Sequence, residues 1–361
     1  MRVLRFVPLL VLAASLLCSA AAVPQAAQPP DPPNLAALEK AAEHEGVLDV
    51  AWDAQLYGGG PGAQRIVDGI AKKWGVHLKL NYSAVDNGAR YINSLAEEVR
   101  AGQTASSDIM FTVPDGTFAK YVQVVDYRKY VPGLPDAVMF YGHRSAAAVT
   151  QLEAFEYNTT LVPKDKVPKN LSDFLKPEWK GKIATSPYQG GQGSYLGFPE
   201  VLGHAGMLAF YQALSGQLGG LTTCGKATAD LLSGEYLFFG VDCGDQSVRM
   251  LQRQGRPLGL IYPKDGVAIR AFAPAVPLTA AHPNAAKLFI AYLLTRDGQQ
   301  LLWDVMGTDN YRIPGSHSAA LVAALRKGGA KIVPDYGNDA EHPELNAYTT
   351  EINKIVNGLA R

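Results

Sequence analysis

Two glycine-rich segments place backbone N–H groups where an anion could meet them. They cover residues 58–62 and 190–194, and each precedes a segment that we predict to be helical. The start of a helix offers unpaired N–H donors that favour a carboxylate, phosphate or phosphonate, and glycine lets a ligand approach the backbone closely. The same glycines could instead serve to make tight turns, and the sequence leaves both interpretations open.

Polar and aromatic residues accompany these segments at the predicted strand ends. Asp53 would favour a hydroxyl, an amine or a cation, while Tyr57, Tyr188 and Tyr195 could stack on an organic body. An acidic side chain beside loops that favour anions predicts a small polar organic ligand with mixed groups, an anionic one among them. The predicted ligand-binding residues are Asp53, Gln55, Tyr57, Thr112, Asp115, Ser186, Tyr188, Gly191, Gln192, Ser194, Asp242, Gln246 and Tyr262.

Two residue patterns that are common in hydrolases and metalloenzymes are missing from the sequence. Ser194 lies in Gly-Gln-Gly-Ser-Tyr-Leu-Gly, which is not the Gly-x-Ser-x-Gly turn of a serine hydrolase. The seven histidines are scattered, and no two stand at a metal-binding spacing such as His-x-x-x-His. We therefore expect a protein that is not an enzyme and has no cofactor and no resident metal, with a secreted hydrolase as a remote alternative.

The N-terminus has the pattern of a secretory signal peptide. Arg2 and Arg5 precede an apolar run, which ends in small residues and predicts cleavage after Ala22. The run is well short of the ~20 residues that a membrane-spanning helix needs. Lipid attachment at Cys18 is an alternative. We expect residues 1–22 to be a signal peptide, residues 23–34 to be a disordered leader, and the rest to be exported.

Charge and cysteine content narrow the classes of partner. Without Arg2 and Arg5, 31 basic side chains face 33 acidic ones, and no basic run stands out, so neither nucleic acid nor an anionic membrane is an expected partner. Cleavage would leave Cys224 and Cys243, which an oxidising compartment favours as a disulfide. A zinc site or a catalytic thiol is the alternative, but no His or Cys cluster surrounds the pair.

Strands alternate with amphipathic helices, and this pattern predicts an α/β fold with parallel sheets. The strand Val47–Trp52, for example, precedes a helix with an apolar stripe from Val67 to Trp74. Ligands of such sheets bind beyond the carboxyl ends of the strands. We predict a discontinuous first lobe of residues 35–144 and 275–361, and a second lobe of residues 145–274 that includes two hinge crossings. No internal repeat is visible, and the C-terminal helices are expected to pack on the first lobe.

The chain resembles the extracellular solute-binding proteins of ABC importers, in the branch that includes the ferric-iron-binding proteins. Four segments carry the resemblance besides the signal peptide: Ser107–Thr112, Tyr157–Val162, Leu171–Ile183 and Tyr262–Gly266. The phrase Leu-Lys-Pro-Glu-Trp-Lys-Gly-Lys-Ile within the third is the most specific. The resemblance implies a type II periplasmic binding fold, in which two α/β lobes close over a solute. It also implies a periplasmic location and docking on a membrane permease, and we expect a monomer.

The sequence departs from the iron-binding branch at the metal ligands. Those proteins use adjacent tyrosines in the segment that corresponds to 240–248, where this chain has Val-Asp-Cys-Gly-Asp-Gln. Oxygen ligands for a hard cation could still come from Asp242, Asp245, Tyr188, Tyr262 and Asp265. Aspartates at loop ends also serve as helix caps and turn formers. Iron or another metal ion therefore remains the alternative to an organic ligand.

Overall fold

The computed structural model describes residues 30–54, 56–113, 116–187, 193–240, 244–333, 342 and 344–358. In this part of the chain the α-helices are Leu35–Glu45, Gly59–Trp74, Gly88–Arg100, Gly116–Ala119, Gly203–Ser215, Cys224–Ser233, Gln246–Arg253, Pro283–Leu293, Arg296–Met306, His317–Lys327 and Glu344–Asn357. The strands are β1 (Val47–Trp52), β2 (Lys79–Ala84), β3 (Met139–Phe140), β4 (Ser145–Ala146), β5 (Val149–Leu152), β6 (Phe155–Asn158), β7 (Ile183–Thr185), β8 (Leu218–Leu221), β9 (Phe238–Phe239), β10 (Leu258–Ile261), β11 (Val267–Phe272) and β12 (Ile332–Val333).

The first sheet is built on β1. Strand β2 pairs with it in parallel, and Val50 forms a parallel bridge to Ile109 on its other side. The chain next to Ile109 then meets Ala275 in an antiparallel bridge, and Pro277 bridges to Val122. The expected strand Ser107–Val113 is therefore present as paired backbone around Ile109. Its long apolar side chains belong to one core with the helices that flank β1.

The second sheet has the strand order β8–β7–β9–β6–β10. Strand β7 runs parallel to both β8 and β9, whereas β6 is antiparallel to β9 and to β10. The bridges of the first sheet follow the same pairing order: β2, β1 and the segment at Ile109 run parallel, and residues 275–277 pair antiparallel with Met110 on one side and with Val122 on the other. The two sheets thus share a topology that the sequence does not display as a repeat, because pairing order depends on backbone geometry and tolerates different side chains.

The two predicted hinge crossings pair with each other. Strand β5 enters the second sheet's half of the molecule, β11 leaves it, and the two run antiparallel from Ile269 opposite Leu152 to Phe272 opposite Val149. Strand β12 joins the outer edge of β11 in parallel. We call these three strands the hinge sheet. It connects the two larger sheets through hydrogen bonds between crossings, so that the connection is a paired ribbon.

The predicted corner at Leu171–Ile183 has its expected structural role. Leu171–Leu175 and Pro177–Trp179 each form a 3-10 turn, and β7 follows. The indole of Trp179 packs edge-on against Phe238 at 4.9 Å between ring centroids, inside the second core. The most specific phrase of the sequence therefore forms the corner that leads the chain into β7.

The C-terminal helix corrects one expectation. The C-terminal helix was predicted as Glu344–Leu359 and expected to pack on the first lobe. The observed helix is Glu344–Asn357, and its apolar residues Leu345, Ile352 and Val356 belong to the core of the second sheet. The helix lies against Gly203–Ser215, and the side chains of Glu351 and His204 approach to 2.6 Å. An amphipathic stripe shows that a helix packs, but it does not show on which surface. The rest of the predicted lobe division stays a prediction.

The end of the predicted leader also differs from the expectation of disorder. The carboxylate of Asp31 contacts the ammonium group of Lys287 at 2.7 Å, and the carbonyl oxygen of Pro32 accepts a hydrogen bond from the Tyr130 hydroxyl at 2.9 Å. Asn34 then caps the first helix. Lys287 is almost fully buried, and a buried ammonium needs an anionic partner. Residues 1–29, which include the predicted signal peptide, lie outside the described residues.

No helix in the described ranges is both long enough and apolar enough to cross a membrane.

Candidate functional site

The carboxyl ends of the first sheet's strands carry two of the predicted residues. Asp53 follows β1, is half-buried, and accepts a hydrogen bond from the Leu56 N–H at 3.1 Å. Thr112 follows the strand around Ile109, and its hydroxyl oxygen accepts a hydrogen bond from the N–H of Ala273, directly after β11. Thr112 therefore lies where the first sheet meets the hinge sheet, and Asp53 also stabilises the turn that follows β1.

The corresponding edge of the second sheet carries Ser186 and Ser194. Ser186 follows β7, Ser194 begins a 3-10 turn, and each is only 1% exposed. Gln246 begins the helix that follows the loop after β9 and is half-buried. Ser186 thus lies at the expected sheet edge. The role of all three residues as ligand contacts stays a prediction.

Several predicted residues lie outside the part of the chain that the structure describes. They are Gln55, Asp115, Tyr188, Gly191, Gln192 and Asp242. Cys243 is among these undescribed residues too, while Cys224 begins the helix Cys224–Ser233. The predicted disulfide between the two cysteines stays a prediction.

Tyr57 does not have the surface position that ligand stacking requires. Its side chain is fully buried, its ring packs edge-on against Trp52 at 5.4 Å, and its hydroxyl donates to the carbonyl oxygen of Phe111 at 2.9 Å. The pKa of this phenol is raised well above its usual value by burial. The structure thus places Tyr57 in the core of the first sheet, and we no longer expect its ring to contact a ligand.

The first glycine-rich segment is largely helical. Gly58 has a positive φ of 75° and precedes the helix that starts at Gly59. A side chain at Gly62 would overlap the backbone carbonyl of Tyr57, and one at Gly60 would press on the ring of Tyr82. The glycines are therefore needed for close packing at the start of this helix, which supports the tight-turn interpretation. Binding of an anion by the helix start remains untested.

Asp245 is the centre of a buried polar cluster beside the hinge sheet. Its carboxylate is fully buried, pairs with the guanidinium of Arg249, and accepts the Tyr262 hydroxyl at 2.7 Å. The N–H of Leu152 in β5 also donates to it, at 3.3 Å, and Arg249 donates to the Tyr262 oxygen at 2.8 Å. The hydroxyl of the predicted residue Tyr262 is thus already hydrogen-bonded to Asp245 and Arg249.

Burial raises the pKa of two carboxyl groups in this region. Burial raises the pKa of Asp245, and the Arg249 charge and the Tyr262 hydroxyl oppose that rise. Glu156, on β6, is 3% exposed, and burial raises its pKa to about 8, with the charge of Asp245 adding to the effect. A neutral Glu156 avoids placing a second buried negative charge near Asp245.

A second polar group lies on the hinge sheet itself. Arg270 on β11 is opposite Gln151 on β5, and its guanidinium donates to the Gln151 Oε1 atom at 2.9 Å. Glu153 is nearly buried, and its carboxylate lies 3.7 Å from the Arg270 Nε atom. Sequence reasoning missed these three residues. The one available indication was an arginine within the otherwise apolar strand Val-Ala-Ile-Arg-Ala-Phe.

Arginines also connect the two halves of the molecule. Arg253 and Arg249, on the helix Gln246–Arg253, reach the last turn of the helix Arg296–Met306. Arg253 Nη1 donates to the Trp303 carbonyl at 2.8 Å, and Arg249 Nη1 donates to the Gly307 carbonyl at 3.1 Å. Both guanidinium groups lie over the Trp303 indole. Positive groups at a helix C-terminus satisfy its unpaired carbonyls and its negative dipole end.

One group of potential metal ligands lies among the described residues, formed by Asp49, Asp108 and His282. The Asp108 carboxylate accepts the backbone N–H of Asp49 and that of His282, each at 2.8 Å, and the His282 imidazole approaches it at 2.8 Å. These bonds tie β1 to the start of the helix Pro283–Leu293. Asp49 lies in the middle of β1, so the group is away from the carboxyl edge where a ligand is expected.

Comparisons with known proteins agree with the fold. The sequence model of the family described as bacterial extracellular solute-binding protein matches residues 66–332. Among curated proteins, no sequence matches the chain.

Solved structures of low sequence identity share the architecture. The substrate-binding protein of an ABC transporter from Agrobacterium tumefaciens is 15% identical, covers 86% of this chain and 97% of its own, and has a TM-score of 0.66. Iron-bound HitA from Pseudomonas aeruginosa is 16% identical, with 85% and 99% coverage and a TM-score of 0.64. The periplasmic binding protein AfuA from Actinobacillus pleuropneumoniae, with fructose-6-phosphate bound, is 16% identical, with 84% and 98% coverage and a TM-score of 0.62. The predicted α/β architecture of periplasmic binding proteins is thereby confirmed.

Proposed function

This chain belongs to the family of bacterial extracellular solute-binding proteins, and from that premise we propose that it captures a small polar organic solute with an anionic group. The protein binds the solute in the periplasm and delivers it to the membrane permease of an ABC importer. The observation that carries this proposal is the pairing of β5 with β11, which puts both connections between the two larger sheets in one ribbon. A ligand that touches both lobes only when they are closed shifts the population toward the closed form.

The charges of the described residues support an organic solute over a metal ion. Of the oxygens that could serve a hard cation, those of Asp245 and Tyr262 are bonded to the Arg249 guanidinium. Asp265 accepts the backbone N–H of Leu171 at 2.8 Å. These oxygens are therefore already engaged by Arg249 and by backbone, whereas the partly exposed Arg270 guanidinium favours an anionic group. Ferric iron remains the alternative, since solved structures with this fold include iron-bound HitA.

The remaining parts of the proposal follow from the sequence. Residues 1–22 act as the export signal, a disulfide links Cys224 to Cys243 in the oxidising periplasm, and the mature chain works as a monomer. Asp53, Thr112, Gln246 and Tyr262 are the described members of the predicted contact set that keep some exposure. They provide hydrogen-bonding groups from both halves of the molecule.

A thermal-shift screen of the mature chain, residues 23–361, tests the proposal. Phosphate esters, carboxylates, polyamines and ferric iron are added separately, since a ligand at 100 times its Kd stabilises the folded state by about 2.7 kcal/mol. We expect an organic anion to raise the melting temperature. Stabilisation by ferric iron and by no organic compound would overturn the proposal in favour of the metal alternative. Conversion of the stabilising compound, monitored by NMR, would instead indicate an enzyme.

A further inference from the structure

We infer that Arg270, positioned by the buried Gln151, lies on the floor of the solute cleft and binds the anionic group of the solute. The inference rests on the proposed function and deepens it, because it assigns the contact to residues that sequence reasoning did not select. It depends on which face of the hinge sheet these side chains occupy, on what borders that face, and on the chemistry of the two groups.

Alternation along the hinge strands separates two faces. Leu152 of β5 and Val267 and Ile269 of β11 pack together with Val322 of the helix His317–Lys327. Successive side chains of a strand point to opposite faces of the sheet, so Gln151 and Arg270 lie on the face away from that helix. Their direct pairing across the two strands explains why the 2.9 Å hydrogen bond forms.

Segments from both larger sheets border this face. Gly244 lies after β9, and a Cβ atom added there would be 2.8 Å from the Gln151 Oε1 atom. The backbone of Gly244 therefore lies against the Gln151 amide. From the first sheet, Thr112 bonds to Ala273, which follows Arg270 by three residues. The face therefore lies between the carboxyl edges of the two sheets, where ligands of α/β proteins bind.

The chemistry of the group suits an anion with oxygen acceptors. The guanidinium has five N–H donors in a planar fork that matches a carboxylate or phosphate. Its side chain is 36% exposed, while Glu153 approaches Nε and Gln151 accepts from Nη2. The ring of Phe272 lies 5.0 Å below the guanidinium and restricts its orientation. Glu153, Phe272 and the buried Gln151, which accepts from Nη2, thus position Arg270.

Inorganic phosphate, compared with chloride at constant ionic strength, is the probe for this site. Thermal shift of the mature chain is measured for the wild type, Arg270→Gln, Arg270→Lys and the exposed control Arg256→Gln, with circular dichroism as the test of folding. We expect phosphate to stabilise the wild type and Arg256→Gln equally. Arg270→Gln should lose at least about tenfold in apparent affinity, and Arg270→Lys, which keeps the charge without the fork, should lose less.

Two results would overturn the inference. Phosphate could fail to stabilise the wild type, or it could stabilise Arg270→Gln as strongly as the wild type. Arg270→Lys keeps the test decisive if Arg270→Gln does not fold. An organic solute that stabilises the wild type and Arg270→Gln equally would leave the proposed function in place and remove Arg270 from it.

Discussion

The Nη1 atom of Arg253 donates to the carbonyl oxygen of Trp303 across 2.8 Å, and this bond joins the two halves of the molecule away from the hinge strands. The helix of Arg253 packs on the second sheet through Val248, whereas the helix of Trp303 packs on the first through Leu302. The relative position of the two halves therefore depends on a capped helix end as well as on the paired crossings.

Removing this cap should destabilise the protein slightly. Arg253→Gln loses a positive group at the C-terminus of the helix Arg296–Met306, and we expect unfolding free energy to fall by about 1 kcal/mol. Urea unfolding measures the loss, and the exposed Arg256→Gln is the control. Equal stability of the two variants would show that the cap contributes nothing.

Breaking the buried ion pair of Asp31 with Lys287 should lower the unfolding free energy far more than removing the Arg253 cap does. Asp31→Ala leaves the Lys287 ammonium, which is 1% exposed, without its 2.7 Å partner, and we expect a loss of about 3–5 kcal/mol. The comparison variant is Asp297→Ala, which breaks the exposed pair with Lys73 and should cost at most about 1 kcal/mol. Similar urea midpoints for the two variants would contradict the structural role of residues 30–34.

Stability should fall as pH rises through the range in which Glu156 titrates. Its pKa is about 8 in the folded chain against 4.5 for an ordinary Glu, so the folded state holds a proton that the unfolded state has released. Between pH 4.5 and about 8, the unfolding free energy should therefore decrease by up to about 1.4 kcal/mol per pH unit. Glu156→Gln should remove this part of the slope, and the exposed Glu178→Gln should not. A wild-type slope in Glu156→Gln would contradict the assignment.

Two glycines with similar backbone provide a matched test of the cleft floor. Gly244 and Gly255 have φ values of 70° and 76°, so alanine at either should cost about 1–2 kcal/mol of strain. A Cβ at Gly244 would also lie 2.6 Å from the Gln246 Oε1 atom and 2.8 Å from that of Gln151, whereas none is within 4 Å at Gly255. We expect Gly244→Ala alone of the two to weaken the thermal response to phosphate. An equal response in both variants would separate Gly244 from the binding surface.

Much of the fold could be predicted because periodicity follows directly from which side chains are buried. The strand Val47–Trp52 was predicted with its observed bounds, and the corner at Trp179 was recognised from its phrase. The predicted packing of the C-terminal helix on the first lobe was wrong, because an apolar stripe does not identify the surface that it packs on. The role of Tyr57 was also wrong, since a tyrosine beside glycines gives no indication of burial.

The pairing of Arg270 with Gln151 on the hinge sheet could not be predicted for a related reason. Arg270 and Gln151 are 119 positions apart, and they meet because β5 and β11 pair in one register. A single sequence shows neither that register nor which face of the ribbon the helix His317–Lys327 covers. Long-range pairing of this kind requires the three-dimensional structure.

Hinge closure over a solute is tested most directly by small-angle X-ray scattering of the mature chain. Scattering is recorded without ligand and with a saturating concentration of the compound that raises the melting temperature most. We expect the radius of gyration to decrease when the compound is bound, because the solute draws the two lobes together. An unchanged radius of gyration with the site saturated would contradict capture by closure.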